Sequence, residues 1–228
     1  MPESIDTFLA DIRTNVLDRL SDILELRSTR SEKSDQSYVT DGDLLVQSII
    51  RELAKRQLPE ARLISEEQKD GEHDARWGLT VVVDPIDGTE NFTSGLPEWG
   101  VSIACYKDGR HLGSMIGCPE MNLWLRTGDS LQRHESRIHG LSSSLSKEDI
   151  LHATQGFEYR ILGCCVYNMM NVIRGSFCTF ENPKGAWSWD ILAGLNLALE
   201  HGLKVTVEGR EYCGEYLPHT HRYCFKVE

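Results

Sequence analysis

Apolar residues recur at helical spacing near the start of the chain. Between residues 4 and 26 they fall three or four positions apart, at Ile5, Phe8, Leu9, Ile12, Val16, Leu20, Ile23 and Leu24. This pattern predicts one amphipathic helix, because residues at that spacing share a helix face. Polar residues 27–37 predict a loop. A second helix is predicted over residues 42–56, with Asp41 or Thr40 as its N-terminal cap.

Strand patterns dominate the middle of the chain. Residues 79–83 form an apolar run, as expected for a strand that is covered on both faces. Residues 101–106 and 111–116 flank K-D-G-R, which is typical of a hairpin turn. We predict shorter strands at residues 63–65, 123–126, 150–153, 176–180, 203–207 and 222–227, helices at 164–173 and 189–201, and a polar surface connection at 134–147.

The alternation of helices and strands predicts one layered α/β domain over residues 1–228. No internal repeat and no flexible linker interrupts it. A chain of 228 residues with 40% apolar residues is long enough and apolar enough to bury a core. We therefore expect an ordinary globular protein.

Charge and cysteine content narrow the class of protein. The formal net charge of -11 argues against a general nucleic-acid binder, which needs an excess of Lys and Arg. A phosphate substrate stays compatible, because a bound cation can reverse the local field. The apolar runs are too short to span a membrane, and the N-terminus lacks a signal-peptide pattern. The seven cysteines contain no C-x-x-C pair, so we expect reduced thiols in a cytoplasmic protein.

The clearest candidate chemistry lies in V-V-V-D-P-I-D-G-T, where a strand runs into two carboxylates. Pro85 is expected to end the strand and to let a turn bring Asp84 and Asp87 together. A divalent cation would relieve their repulsion, and ligation by oxygen alone favours Mg²⁺ or Mn²⁺. Gly88 and Thr89 would offer backbone amides to an anion if a helix begins there. A simple capped turn explains the same residues equally well.

The wider pattern resembles the inositol monophosphatase family of magnesium-dependent, lithium-sensitive phosphomonoesterases. D-P-I-D-G-T-E-N-F is similar to the first signature of that family, and W-S-W-D-I-L-A-G is similar to the second, with Asp190 at the head of a helix. Glu66 in L-I-S-E-E matches the family's metal-binding glutamate, and V-T-D matches an upstream acid at Asp41. The resemblance covers residues 5–207. It implies the αβαβα layered sandwich of the fructose-1,6-bisphosphatase and inositol monophosphatase fold.

The same resemblance implies the roles of individual residues. Metal ligands for two or three Mg²⁺ ions would be Glu66, Asp84, the carbonyl of Ile86, Asp87 and Asp190. Glu66, and Thr89 paired with Asp41, would orient or deprotonate the attacking water. Substrate contacts would come from Asp87, Gly88, Thr89, Gly163, Cys164, Cys165 and Asp190. Cys165 is expected to line the pocket and not to act as a nucleophile.

Several departures from the family pattern leave the substrate open. Pro183 or Lys184 stands where inositol-phosphate enzymes carry an acidic residue. Lys184 is a candidate for binding a second anionic group of the substrate, although a solvated loop lysine is the simpler interpretation. The chain is also short for the family.

The predicted function is hydrolysis of a small sugar, polyol or inositol phosphate by metal-activated water in a homodimeric enzyme. Histidinol phosphate, a 3'-nucleotide or a sugar bisphosphate are alternative substrates. A non-catalytic relative that binds a phosphorylated ligand or a partner protein is the alternative of a different class.

Overall fold

The computed structural model describes residues 1–32, 38–67, 77–143, 145–153 and 158–228. Its helices are α1 Glu3–Asp18, α2 Leu20–Glu25, α3 Asp41–Gln57, α4 Thr89–Thr93, α5 Lys147–Ala153, α6 Cys165–Ile173 and α7 Ser188–Glu200. Its strands are β1 Arg30–Glu32, β2 Tyr38–Thr40, β3 Arg62–Ser65, β4 Leu79–Asp87, β5 Gly100–Lys107, β6 Arg110–Cys118, β7 Leu123–Arg126, β8 Ile138–Leu141, β9 Glu158–Ile161, β10 Thr179–Ala186, β11 Val205–Val207, β12 Arg210–Glu211 and β13 Tyr223–Val227. No helix in these ranges is both long enough and apolar enough to cross a membrane.

A five-stranded sheet carries the strand that holds the two aspartates. Its order is β3-β4-β5-β6-β7, with β3 parallel to β4 and the other neighbours antiparallel. The predicted hairpin is β5–β6. The expectation that Pro85 ends the strand is wrong, because β4 continues to Asp87 through an irregularity in the register between Asp84 and Asp87. A bulge of this kind lets a proline stay within a sheet.

The other large sheet has six strands in the order β12-β11-β13-β10-β8-β9. The β10–β8 and β8–β9 pairs are parallel, whereas β10–β13, β11–β13 and β11–β12 are antiparallel. The small pair β1–β2 is antiparallel and lies beside the start of α3.

Helices cover both faces of the five-stranded sheet. α1 and α3 pack on one face, where Phe8 and Ile50 join Val81, Val83 and other apolar side chains in one core cluster. α6 and α7 pack on the other face and separate it from the six-stranded sheet. β4 therefore has apolar cover on both sides, which explains the run of three valines from Val81 to Val83.

The first predicted helix is divided in two by a turn at Arg19, where the backbone leaves the helical conformation. The predicted strand at residues 150–153 is wrong, because these residues belong to α5. The predicted surface connection at residues 134–147 contains β8, and β10 starts later and runs further than predicted. The predicted loop contains β1, although residues 33–37 lie outside the described residues. Short strands are set by pairing partners more than by local sequence, so such errors concentrate there.

The buried face of α3 provides a test of this packing. We expect Leu53→Ala to lower the free energy of unfolding by about 2–5 kcal/mol, because the Leu53 side chain is buried between α3 and its neighbours. Leu44→Ala is the matched control on the same helix, since Leu44 is 49% exposed, and it should change stability by about 0.5 kcal/mol or less. Chemical denaturation of both variants measures the difference, and equal losses would contradict the packing.

Candidate active site

Three carboxylates from separate elements converge at the end of the five-stranded sheet. Glu66 directly follows β3, Asp84 lies in β4, and Asp190 is in the first turn of α7. Because β3 and β4 are parallel, their ends lie at the same edge, and the Glu66 amide donates to the Val83 carbonyl at 3.3 Å. The Ser102 hydroxyl on β5 donates to the Trp189 carbonyl at 2.7 Å, which fixes the start of α7 against the sheet. One oxygen from each of the three acids lies within 4.8 Å of the others.

The electrostatics of this cluster suit a hard divalent cation. Asp84 is 1% exposed, and its Oδ1 has no hydrogen-bond partner among the residues that the structure describes. Burial raises the pKa of Asp84 well above its ordinary value, and the nearby charges of Glu66, Asp87 and Asp190 raise it further. Burial and the charge of Asp87 likewise raise the pKa of Asp190. An oxygen-only donor set with unbalanced negative charge fits Mg²⁺ better than zinc.

Asp87 lies beside this cluster, and its carboxylate turns towards the start of α6. It is 9% exposed, and its Oδ2 accepts hydrogen bonds from the Cys164 thiol at 3.0 Å and from the Val166 amide. Burial raises the pKa of Asp87 to about 6, although these two hydrogen bonds oppose the rise. Its role as a metal ligand therefore stays a prediction, since the described three-carboxylate cluster does not include it.

The turn after β4 contains Gly88 and Thr89, the predicted phosphate-binding residues. Gly88 has a left-handed backbone with φ of 82° and caps α4. A Cβ atom there would lie 2.9 Å from Cys164 Cβ and 3.0 Å from the Gly163 carbonyl oxygen, so only glycine fits. The Thr89 hydroxyl donates to the carbonyl of Ile86 at 3.1 Å. The predicted carbonyl ligand Ile86 is thus held in the same turn as the predicted catalytic Thr89.

The structure places Asp43, and not Asp41, next to the carboxylate cluster. Asp41 is the first residue of α3, is exposed, and donates its amide to Thr29. Asp43 is fully buried, and it is among the charges that raise the pKa of Asp84 after burial and the nearer acids. Its carboxylate accepts from the Thr40 amide at 2.8 Å and from the Thr40 hydroxyl at 2.5 Å, which forms a capping box. The catalytic role of Asp41 stays a prediction, and Asp43 is the buried acid at the start of α3.

The two adjacent cysteines form a wall of the site. Cys164 caps α6, where its sulfur accepts from the Tyr167 amide at 3.2 Å while its thiol donates to Asp87. Burial raises the pKa of Cys164 and of Cys165, with the charge of Asp87 as a further cause for both. Both thiols therefore stay protonated near neutral pH, which disfavours a cysteine nucleophile.

A cavity of about 140 Å³ adjoins the carboxylates. Its lining includes Asp87, Asp190 and the three predicted pocket residues Gly163, Cys164 and Cys165. The described lining does not include Lys184, whose ammonium forms a salt bridge with Asp149 at 2.9 Å. Arg222, which sequence analysis did not select, lines the cavity instead.

Comparison with known proteins identifies the family. Residues 2–150 match the model of the inositol monophosphatase family. The chain belongs to this family. The match includes Glu66, Asp84, Asp87 and Thr89, whereas Asp190, α6 and α7 lie beyond it.

Two curated relatives are similar to this chain in sequence. The chain is 28% identical over 181 residues to the uncharacterized protein y4fL of Sinorhizobium fredii, which covers 71% of this chain and 64% of that protein. It is 29% identical over 193 residues to a fructose-1,6-bisphosphatase/inositol-1-monophosphatase of Thermotoga maritima, covering 75% of this chain and 72% of that protein. The chain thus spans about two thirds of these relatives.

A crystal structure of an IMPase/NADP phosphatase complexed with NADP and Ca²⁺ superposes with a TM-score of 0.84. The sequence identity is 20%, and the superposition covers 98% of this chain and 90% of that one. This match confirms the predicted layered α/β fold of the inositol monophosphatase type.

The carboxylate cluster predicts an unusual response of stability to pH. Asp84, Asp87 and Asp190 have folded-state pKa values above those of the unfolded chain. The folded state therefore holds protons more tightly, and metal-free protein should lose stability as pH rises above about 4, with the part due to Asp87 lost through about pH 6. Added Mg²⁺ should restore stability above that range. Thermal unfolding with a chelator or with Mg²⁺ measures both effects.

The Asp84→Asn variant tests whether the buried carboxylate of Asp84 causes both effects. In metal-free buffer at neutral pH it should raise the free energy of unfolding by about 1–3 kcal/mol, because it removes a buried charge, and it should abolish stabilisation by Mg²⁺. Asp18→Asn changes an exposed carboxylate on α1 and should leave both quantities near those of the unmodified protein. A destabilised Asp84→Asn variant that keeps its response to Mg²⁺ would contradict the metal site.

Proposed function

We propose that this protein is a Mg²⁺-dependent phosphomonoesterase that hydrolyses a small sugar, polyol or inositol phosphate with water as the nucleophile. The observation that carries the proposal is the convergence of Glu66, Asp84 and Asp190 beside the glycine turn at Gly88. Membership of the inositol monophosphatase family and the Ca²⁺ in the solved neighbour support it.

The site residues would have two roles, binding the cation with the phosphate and orienting the attacking water. Glu66, Asp84 and Asp190 would hold the cation, with Asp87 as a further ligand. A bound divalent cation supplies positive charge that stabilises phosphoryl oxygens and lowers the pKa of water. The backbone amides of Gly88 and Thr89 at the start of α4 would bind the phosphate oxygens.

Proton handling falls to Glu66, Thr89 and Asp43. Glu66 borders the cluster at the end of β3 and is partly exposed, so water can reach it. Asp43 replaces Asp41 as the acid expected to work with Thr89, because Asp43 is buried and its charge acts on Asp84, whereas Asp41 is exposed. These groups would orient the water and accept its proton as it attacks phosphorus. Protonated Cys164 and Cys165 leave water as the nucleophile that the site favours.

Release of inorganic phosphate tests the proposal. Purified protein should hydrolyse at least one of a panel of small phosphate esters with Mg²⁺ and none with a chelator. Glu66→Gln, Asp84→Asn and Asp190→Asn should each lower kcat by about a thousandfold or more while the circular dichroism spectrum is retained, because each removes a ligand charge. Near-normal turnover in the folded variants would contradict the metal assignment, and failure on every ester would contradict phosphatase activity.

A paired substitution decides between the two candidate acids on α3. We expect Asp43→Asn to lower kcat by about a hundredfold, because a positioned proton acceptor contributes about 10²–10⁴. Asp41→Asn should change kcat less than twofold, since the Asp41 side chain is exposed. Thermal unfolding of both variants separates loss of catalysis from loss of the α3 cap. The reverse ranking would restore the original assignment to Asp41.

A further inference from the structure

The cavity beside the carboxylates carries a positive side chain on an otherwise acidic protein. Asp87 and Asp190 line this cavity together with Arg222 and Asn182. A substrate whose phosphate reaches the carboxylate cluster can therefore extend past Asp190 towards a guanidinium group. Arg222 is exposed, and it is the arginine in the described lining of this cavity.

The fold brings Arg222 to this position through the pairing of two distant strands. Arg222 directly precedes β13, which pairs with β10, and the register of β10 is irregular between Asn182 and Ala186. Within that irregular stretch, Gly185 has a φ of 79°, and a Cβ atom on it would lie 3.0 Å from Arg222 Cβ. Glycine at this position lets β10 approach Arg222 closely.

Trp187 contacts Arg222 through its ring and Asp190 through its backbone amide. The guanidinium carbon lies 5.7 Å from the centre of the Trp187 ring, within the range of a cation–π contact. The Trp187 amide in turn donates to Asp190 Oδ2 at 2.8 Å. Trp187 also stacks on Trp189, with ring centres 5.3 Å apart. Arg222 and Asp190 thus both contact Trp187.

The hydrogen-bonding capacity of Arg222 is available to a ligand. Within the described parts of the chain, no carboxylate forms a salt bridge with Arg222, whereas Lys184 is paired with Asp149. A guanidinium stacked on an aromatic face still presents its N–H edge, and that edge matches the paired oxygens of phosphate or carboxylate.

From this geometry we infer that Arg222 is a specificity-determining residue that binds a second anionic group on the phosphate-ester substrate. This inference rests on the proposed function, because the first phosphate must occupy the carboxylate site. It assigns to Arg222 the role for which Lys184 was the sequence candidate. The group that Arg222 would bind is a phosphate or a carboxylate on the leaving-group side of the ester.

Three esters that differ at one carbon test the inference. Glucose 1-phosphate has a neutral hydroxymethyl group, glucuronic acid 1-phosphate has a carboxylate there, and glucose 1,6-bisphosphate has a second phosphate. We expect Arg222→Met to lower kcat/KM for the preferred charged ester by about ten- to a hundredfold, as loss of a charged hydrogen bond would. The value for glucose 1-phosphate should change less than twofold, and Arg222→Lys should recover part of the loss. The preferred ester identifies the anionic group.

Controls make each outcome decisive. Arg210→Met removes an exposed arginine on β12 and should alter none of the three rates. An equal effect of Arg222→Met on all three esters would overturn the inference, as would loss of preference in Lys184→Met but not in Arg222→Met. Thermal unfolding excludes a misfolded variant, with Arg222→Gln as the replacement if Arg222→Met unfolds.

A binding measurement separates this inference from phosphatase activity. Calorimetry with glucose 1,6-bisphosphate and glucuronic acid 1-phosphate in Ca²⁺ should show binding of at least one by the unmodified protein, weakened at least tenfold in Arg222→Met. If no ester is hydrolysed but this difference persists, the proposed activity fails and the role of Arg222 stands. If esters are hydrolysed without any preference for a second charge, the role of Arg222 is contradicted and the proposed phosphatase activity stands.

Discussion

Repulsion between buried carboxylates is the constraint on which the site depends. Glu66, Asp84 and Asp190 come from three elements that meet at one sheet edge, so none can move away without disturbing the sheet or α7. Apolar clusters on both faces of the five-stranded sheet hold the acids in place. The stability of the folded protein thus rests on hydrophobic burial, while the site keeps an unfavourable charge density that a cation relieves.

The long periodic segments could be predicted from the sequence because local pattern and tertiary role agree there. The helix α3 and the hairpin β5–β6 have strong patterns of apolar residues, and those apolar residues are mostly buried. β8 has a weak pattern, and its conformation depends on pairing with β9 and β10. The start of α5 has a local signal, the reciprocal hydrogen bonds between Ser146 and Asp149, which the strand prediction did not use. The continuation of β4 past Pro85 also depends on its neighbour, because pairing with β5 resumes at Asp87.

The site residues that lie in recognisable sequence motifs could be predicted from the sequence. The acids at Glu66, Asp84 and Asp190 were found by resemblance, and the structure brings them together. The T-x-x-D pattern from Thr40 to Asp43 is a capping box, a local signal that would have singled out Asp43 at the start of α3. Arg222 has no local signal at all, because its position follows from the pairing of β10 with β13.

The stacked indoles of Trp187 and Trp189 give the protein an intrinsic optical reporter. Their rings lie 5.3 Å apart at the head of α7. Trp187 lies beside the guanidinium of Arg222, and Trp189 directly precedes Asp190 in sequence. Two chromophores this close couple electronically, and their emission and near-ultraviolet dichroism respond to small changes in local charge. Arrival of a ligand at this end of the molecule can therefore be followed spectroscopically without attaching a label.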